Sequence, residues 1–135
     1  MVRPSLLRSV VAALLLAVAL GFSSCSSSEA GSEVARVEPH EAVALIASGD
    51  YTVLDVRTPD EYDAGHVAGA LNIDVRDGGF EEQVDALDHD ARYLVYSRAG
   101  KRSSRAADTM AGLGFRHVAD AGAFSTLVFA GAEIE

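Results

Sequence analysis

Three things are scarce in this chain. Cysteine occurs once in 135 residues, at Cys25, so no internal disulfide can form and the fold must rest on its core. Positive charge is scarce as well: 11 lysines and arginines against 20 aspartates and glutamates give a formal net charge of −9. Arg3 and Arg8 precede residue 24 and every acid follows it, so the remainder holds nine basic and twenty acidic residues, a net charge of −11. Such a surface repels nucleic acid and anionic lipid headgroups, so no nucleic-acid partner is expected. Long apolar runs are also missing. Val10 to Phe22, broken only by glycine, is short against the ~20 apolar residues that span a bilayer.

That short run has its own meaning. It follows the charged start made by Arg3 and Arg8 and leads into the small residues Ser23 and Ser24. A basic start, a short apolar stretch and small residues form the pattern of a secretory signal, so residues 1–24 are expected to be a cleaved signal peptide. The alternative is an uncleaved anchor helix beginning at Leu6, with Arg8 snorkelling toward the headgroups. Cys25, between Ser23-Ser24 and Ser26-Ser27-Ser28, resembles a bacterial lipobox, in which the cysteine becomes the lipidated first residue; the pattern usually has leucine where Phe22 stands. The resemblance implies an exported chain held at the cell membrane by lipid on Cys25, facing away from the cytoplasm. The alternative is a chance cysteine in a serine-rich linker. Residues 25–33 read as a flexible tether, and residues 34–135 as one domain.

About a hundred residues remain from Val34 onward, and they alternate strand-like and helix-like segments. Pro39 opens a helix whose apolar face holds Ala42, Val43, Leu45 and Ile46, and Gly49-Asp50 stops it. Thr52 to Val56 is a buried-type strand. Thr58-Pro59-Asp60-Glu61 starts a helix, with Thr58 as cap and Glu61 closing a capping box. Leu71 to Ile73 is a second strand, and Phe80 to Leu87 a helix with Phe80, Val84 and Leu87 on one side. Tyr93 to Tyr96 is the clearest strand; its tyrosines alternate with Leu94 and Val95 and read as packing residues. A helix from Ser103 to Leu113 is ended by Gly114. A strand at His117 to Ala119 and a short helix from Phe124 to Phe129 complete the chain. This alternation predicts an α/β fold with a mostly parallel sheet. Ligands of such folds bind beyond the carboxyl ends of the strands.

The loop after Tyr96 lies there. Ser97-Arg98-Ala99-Gly100-Lys101-Arg102 joins a strand end to a helix start, where successive N–H groups can form an anion-binding nest. Gly100 permits a backbone angle that a branched residue resists, and Arg98, Lys101 and Arg102 add positive charge. A solvated basic turn is the plainer reading of the same residues.

The stretch Leu94 to Ser103 resembles the rhodanese active-site loop: an apolar strand, then cysteine, arginine, any residue, glycine, any residue, arginine and serine. Leu54-Asp55-Val56-Arg57-Thr58-Pro59-Asp60-Glu61-Tyr62 and Gly65-His66-Val67-Ala68-Gly69-Ala70-Leu71-Asn72-Ile73 resemble the family's first signature. The resemblance runs from about Val37 to the C-terminus. It implies a three-layer α/β sandwich with a mostly parallel five-stranded sheet and helices on both faces. It also implies transfer of sulfane sulfur from a donor such as thiosulfate, carried as a persulfide on the loop cysteine. Ser97 stands at that cysteine position. Ala68 stands where proline is usual, and the family's C-terminal signature survives only weakly in Ala121-Gly122-Ala123-Phe124. The six-residue loop matches the sulfurtransferase branch; phosphatases of the same fold use a loop one residue longer.

Serine cannot store sulfur as a persulfide, and activating it needs a positioned base. His66 is the nearest base in the motif, though holding its turn by hydrogen bonds is the simpler role. Asp55, Arg57 and Glu61 resemble the family's supporting ion-pair set, and Arg57 and Glu61 are close enough in sequence to pair locally. The sequence thus predicts a domain without ordinary sulfurtransferase activity, whose loop Ser97 to Arg102 binds a small oxyanion such as thiosulfate, sulfite or sulfate. No metal or organic cofactor is expected, and no protein partner is identifiable. The rival readings are an active sulfurtransferase, a Ser97-dependent hydrolase, and a partner-binding module whose loop is a relic.

Overall fold

The structure is a computed structural model that describes residues 34–135. The expected signal peptide (1–24), Cys25 and the 25–33 tether lie outside the described residues. Among the described residues, no helix is long and apolar enough to cross a membrane.

Five strands, β1 (Ala35–Arg36), β2 (Thr52–Asp55), β3 (Leu71–Asn72), β4 (Arg92–Ser97) and β5 (His117–Ala123), form one sheet in the order β1-β5-β4-β2-β3. Every pairing between them is parallel, as the alternation of strands and helices predicts. Helices α1 (Pro39–Ser48), α2 (Pro59–Asp63), α3 (Phe80–Asp85), α4 (Lys101–Gly112) and α5 (Phe124–Phe129) connect the strands or follow them.

The two-residue period of β4 sorts its side chains between two cores. Tyr93 and Val95 join Leu54, Val56, Phe80, Val84, Ala106, Met110 and Phe115 on the α3/α4 side. Leu94 and Tyr96 join Ala42, Val53, Ala119 and Leu127, with Tyr62 packed alongside, on the side of α1, α2 and α5. The central strands are covered on both faces, so β4 is buried at every position after Arg92.

Local signals set several element ends. Pro39 opens α1, and Gly49 ends it with a left-handed φ of 74°. The capping box of α2 is present in both directions: Thr58 Oγ1 accepts the Glu61 N–H, and the Glu61 carboxylate accepts the Thr58 N–H at 3.0 Å. Other boundaries depart from the sequence reading. Strand β1 was not anticipated: its two residues are exposed and form no apolar pattern, and only pairing with Ala119 and Asp120 makes them a strand. Helix α4 begins at Lys101, two residues before Ser103, because left-handed Gly100 (φ 89°) already turns the chain into the helix. Strand β5 continues four residues beyond Ala119, past a register shift opposite Val95 and Tyr96, because β4 offers partners as far as Ser97. Helix α3 ends at Asp85, and Leu87 packs against the core just beyond it.

Candidate functional site

The carboxyl ends of β2 and β4 lie side by side, with Asp55 opposite Tyr96. Asp55 is fully buried. Its carboxylate accepts the Arg57 N–H at 2.9 Å, Arg57 Nε at 2.9 and 3.0 Å, Arg57 Nη2 at 2.6 Å and the Tyr96 hydroxyl at 2.6 Å. The same Tyr96 oxygen accepts the Val67 N–H at 3.1 Å. Burial by itself lowers the Arg57 pKa, but the Asp55 carboxylate outweighs it and holds the guanidinium above its ordinary value. Burial, reinforced by the bond to Asp55, pushes the Tyr96 phenol well up. Both groups keep their ordinary charge states at neutral pH.

The expected local pair of Arg57 with Glu61 does not form. Arg57 turns to Asp55 and to the Gly65 carbonyl at 2.8 Å. Glu61 instead receives Arg102 through two parallel bonds, Nη1 to Oε2 at 2.7 Å and Nη2 to Oε1 at 2.8 Å. The reason is geometric. The Asp55 carboxylate is fixed at the strand end two residues before Arg57, whereas α2 and the first turn of α4 present Glu61 and Arg102 to each other. This pairing holds the Glu61 carboxyl down at about 2, mainly through the Arg102 bonds and against a smaller burial effect. Arg102, expected to hold an anion, therefore has part of its fork committed to Glu61.

Ser97 ends β4 and is buried. Its Oγ accepts the Gly100 N–H and the Ser103 N–H, each at 3.1 Å. These two amides, three residues apart, converge on the Ser97 oxygen itself. Ser103 Oγ donates to the Gly100 carbonyl at 3.0 Å and the Gly122 carbonyl at 3.3 Å, tying the loop to β5. A Cβ at Gly100 would lie 3.6 Å from Gly122 Cα, an ordinary contact, so the left-handed φ rather than crowding calls for glycine. The N–H groups of Arg98, Ala99, Lys101 and Arg102 make no hydrogen bond among the described residues. The side chains of Arg98 and Lys101 make no ion pair there either, and both residues are exposed.

His66 does not reach Ser97 Oγ by a hydrogen bond. Its Nδ1 lies 3.0 Å from the Tyr62 carbonyl and its Nε2 3.2 Å from Glu135 Oε1, while its ring stacks on Tyr62 at 3.5 Å. It holds the turn after α2, the simpler of its two sequence-based roles.

Three contributors escaped the sequence reading. The Tyr96 hydroxyl bonds Asp55, which a packing pattern cannot reveal. Phe124, in the weak C-terminal motif, lies under the Arg57 guanidinium at 4.2 Å and stacks with Tyr96 at 5.8 Å. Arg36, on the unanticipated β1, bonds buried Asp120 at 3.2 Å beside a cavity of about 450 Å³ that the loop residues Ala99, Gly100 and Lys101 also line.

Two outcomes follow from these pairs. Arg57→Ala strands the buried Asp55 charge and is expected to cost about 3–5 kcal/mol in denaturant unfolding. Glu61 has a folded pKa below its ordinary 4.5, so its stabilising contribution is complete above that pH and lost as pH falls toward about 2. Glu61→Gln should therefore flatten the loss of stability over that interval. An unchanged acid profile would show that the Arg102 pair contributes nothing.

Comparison with known proteins agrees with this architecture. The family described as rhodanese-like domain matches residues 38–122. Thiosulfate sulfurtransferase GlpE of Pseudomonas entomophila is 38% identical over 87 residues, covering 64% of this chain and 77% of that protein. A crystal structure of a rhodanese-related protein from Thermoplasma volcanium superposes with a TM-score of 0.66 at 28% identity, covering 75% of this chain and 97% of that one. A structure of rhodanese with anions from E. coli gives a TM-score of 0.54 at 27% identity, over 63% of this chain and 96% of that one. With its parallel sheet, its loop after β4 and a family match over most of the described domain, this chain belongs to the rhodanese-like domain family.

Proposed function

We propose that this domain is an exported, membrane-tethered member of the family that binds a small oxyanion at its loop and has no thiosulfate sulfurtransferase turnover. The observation that carries this reading is the setting of Ser97 Oγ, which accepts the Gly100 and Ser103 amides where the resemblance calls for a sulfur-carrying cysteine. Sulfur transfer through a persulfide needs a thiolate, and a free thiol reaches that state with a pKa of roughly 8.5, lower still among N–H donors and cations. A serine hydroxyl has no comparable anion, and activation would require a base. No histidine or carboxylate among the described residues bonds Ser97 Oγ. Oxyanion binding is supported by the amides of Arg98, Ala99, Lys101 and Arg102, which have no partner among the described residues, by the positive side chains of Arg98 and Lys101, and by a similar rhodanese described as solved with anions. Relatives named thiosulfate sulfurtransferases favour thiosulfate, sulfite or sulfate as the ion. Export and tethering are supported by the charged start, the short apolar run and Cys25 of the sequence.

The full chain given thiosulfate and cyanide should form thiocyanate no faster than buffer does. Turnover that disappears in Ser97→Ala would overturn the reading and favour an active enzyme. Ser97→Cys should place a thiol among the same two amides, lower its pKa below the free value and gain one sulfur in mass on exposure to thiosulfate. A folded Ser97→Cys protein with an unshifted thiol and no adduct would mean that the loop does not act as an anion cradle.

For the tether, labelled fatty acid should attach to the wild-type chain and not to Cys25→Ala, which should be released from the membrane. Equal retention of both forms would instead favour an uncleaved helix. One or two lipid chains hold a protein less permanently than a spanning helix.

A further inference from the structure

Counter-charge is distributed unevenly over this acidic domain. Arg36, Arg57, Arg102 and Arg116 each have a carboxylate partner, and Arg92 lies over the Tyr51 ring. The other four basic residues beyond position 33, Arg76, Arg98, Lys101 and Arg105, have no ion pair among the described residues. Arg98 is in the loop. The remaining three, with Arg102 and Val75, line a cleft of about 440 Å³. Asp74 accepts the Arg76 main-chain N–H at 2.9 Å and acts on Arg102 through its charge. The charge of Glu61 is matched by Arg102, which holds both of its oxygens.

Lys101 and Arg102 belong to the loop and to this cleft, so the two are contiguous. A single sulfate-sized ion held at the loop would leave the cleft's unpaired cations uncompensated. Like charges gathered without counter-ions cost stability, and they attract a ligand carrying the opposite charge. Arginine forks match tetrahedral oxyanions particularly well.

We propose that the ligand is a small oxyanion with two joined tetrahedral heads. One head is held at the loop amides, and the other in the cleft by Arg76, Lys101 and Arg105. This rests on the reading of the loop as an oxyanion site and names the chemical class that the site takes.

Diphosphate and sulfate are suitable probes, titrated calorimetrically into the full chain in non-ionic detergent at low ionic strength. Diphosphate should bind at least about tenfold more tightly than sulfate, a margin of about 1.4 kcal/mol. The double variant Arg76→Ala/Arg105→Ala should lose that margin and keep the wild-type affinity for sulfate. Arg92→Ala/Arg116→Ala, which removes the same net charge elsewhere, should keep the margin. Equal wild-type affinities for the two ions, or equal loss of the margin in both double variants, would overturn the two-headed ligand while leaving the loop site standing. No sulfate binding at all would overturn the loop reading itself. Thermal unfolding of each variant verifies that it is folded.

Discussion

A carboxylate without access to water must be surrounded by donors, and the upper edge of this sheet is organised around meeting that demand for Asp55. Its oxygens take the Arg57 main chain and guanidinium and the Tyr96 hydroxyl. Each donor then brings in another segment. Arg57 reaches the Gly65 carbonyl after α2, the Tyr96 oxygen holds the Val67 N–H, and Asn72 Nδ2 bonds the Asp55 and Arg57 carbonyls at 3.0 Å each. Phe124 closes the set from the start of α5. A buried pair of this kind is costly to break from one side, because the remaining charge has nowhere to go. The ends of β2, β3 and β4 and the start of α5 are thereby fixed relative to one another beneath the loop.

On that floor the loop closes around its own first residue. Ser97 Oγ gathers two amides, Ser103 Oγ fastens the loop to Gly122, and Glu61 clamps the first turn of α4 through Arg102. None of these bonds depends on the nucleophilicity of position 97. A hydroxyl oxygen accepts both amides, so the loop closes on Ser97 without any thiolate. Shape and reactivity are separable here because the amides need only an acceptor, whereas sulfur transfer needs an anion that serine does not form near neutral pH.

The charge pattern bears on the same separation. An overall negative surface holds anions at a distance, yet the cations without an ion pair among the described residues are concentrated around the loop and the neighbouring cleft. Long-range repulsion of large polyanions with local attraction for small ones is the expected result, and screening by salt weakens both.

Much of the fold was legible in the residues themselves, because it depends on neighbours in sequence. Pro39 and Gly49 bound α1, Thr58 and Glu61 form the capping box, and the alternation from Tyr93 to Tyr96 divides β4 between two cores. The loop was legible too, since its length, its glycine and its basic residues are consecutive. Partner choice was not. Arg57 and Glu61 are four residues apart and oppositely charged, and sequence separation favours pairing them. Tertiary structure decided otherwise, because Asp55 sits at the strand end beside Arg57, and Arg102, 41 residues from Glu61, lies opposite it. Strand β1, the extension of β5, the cleft of Arg76 and Arg105, and the place of Phe124 under Arg57 belong to the same class. The sequence by itself determined most of the local elements, the family and the identity of the residue at position 97. Only tertiary structure decided which charges are neutralised and which remain free, because Coulomb attraction and hydrogen bonding act over distance in space and are indifferent to separation along the chain.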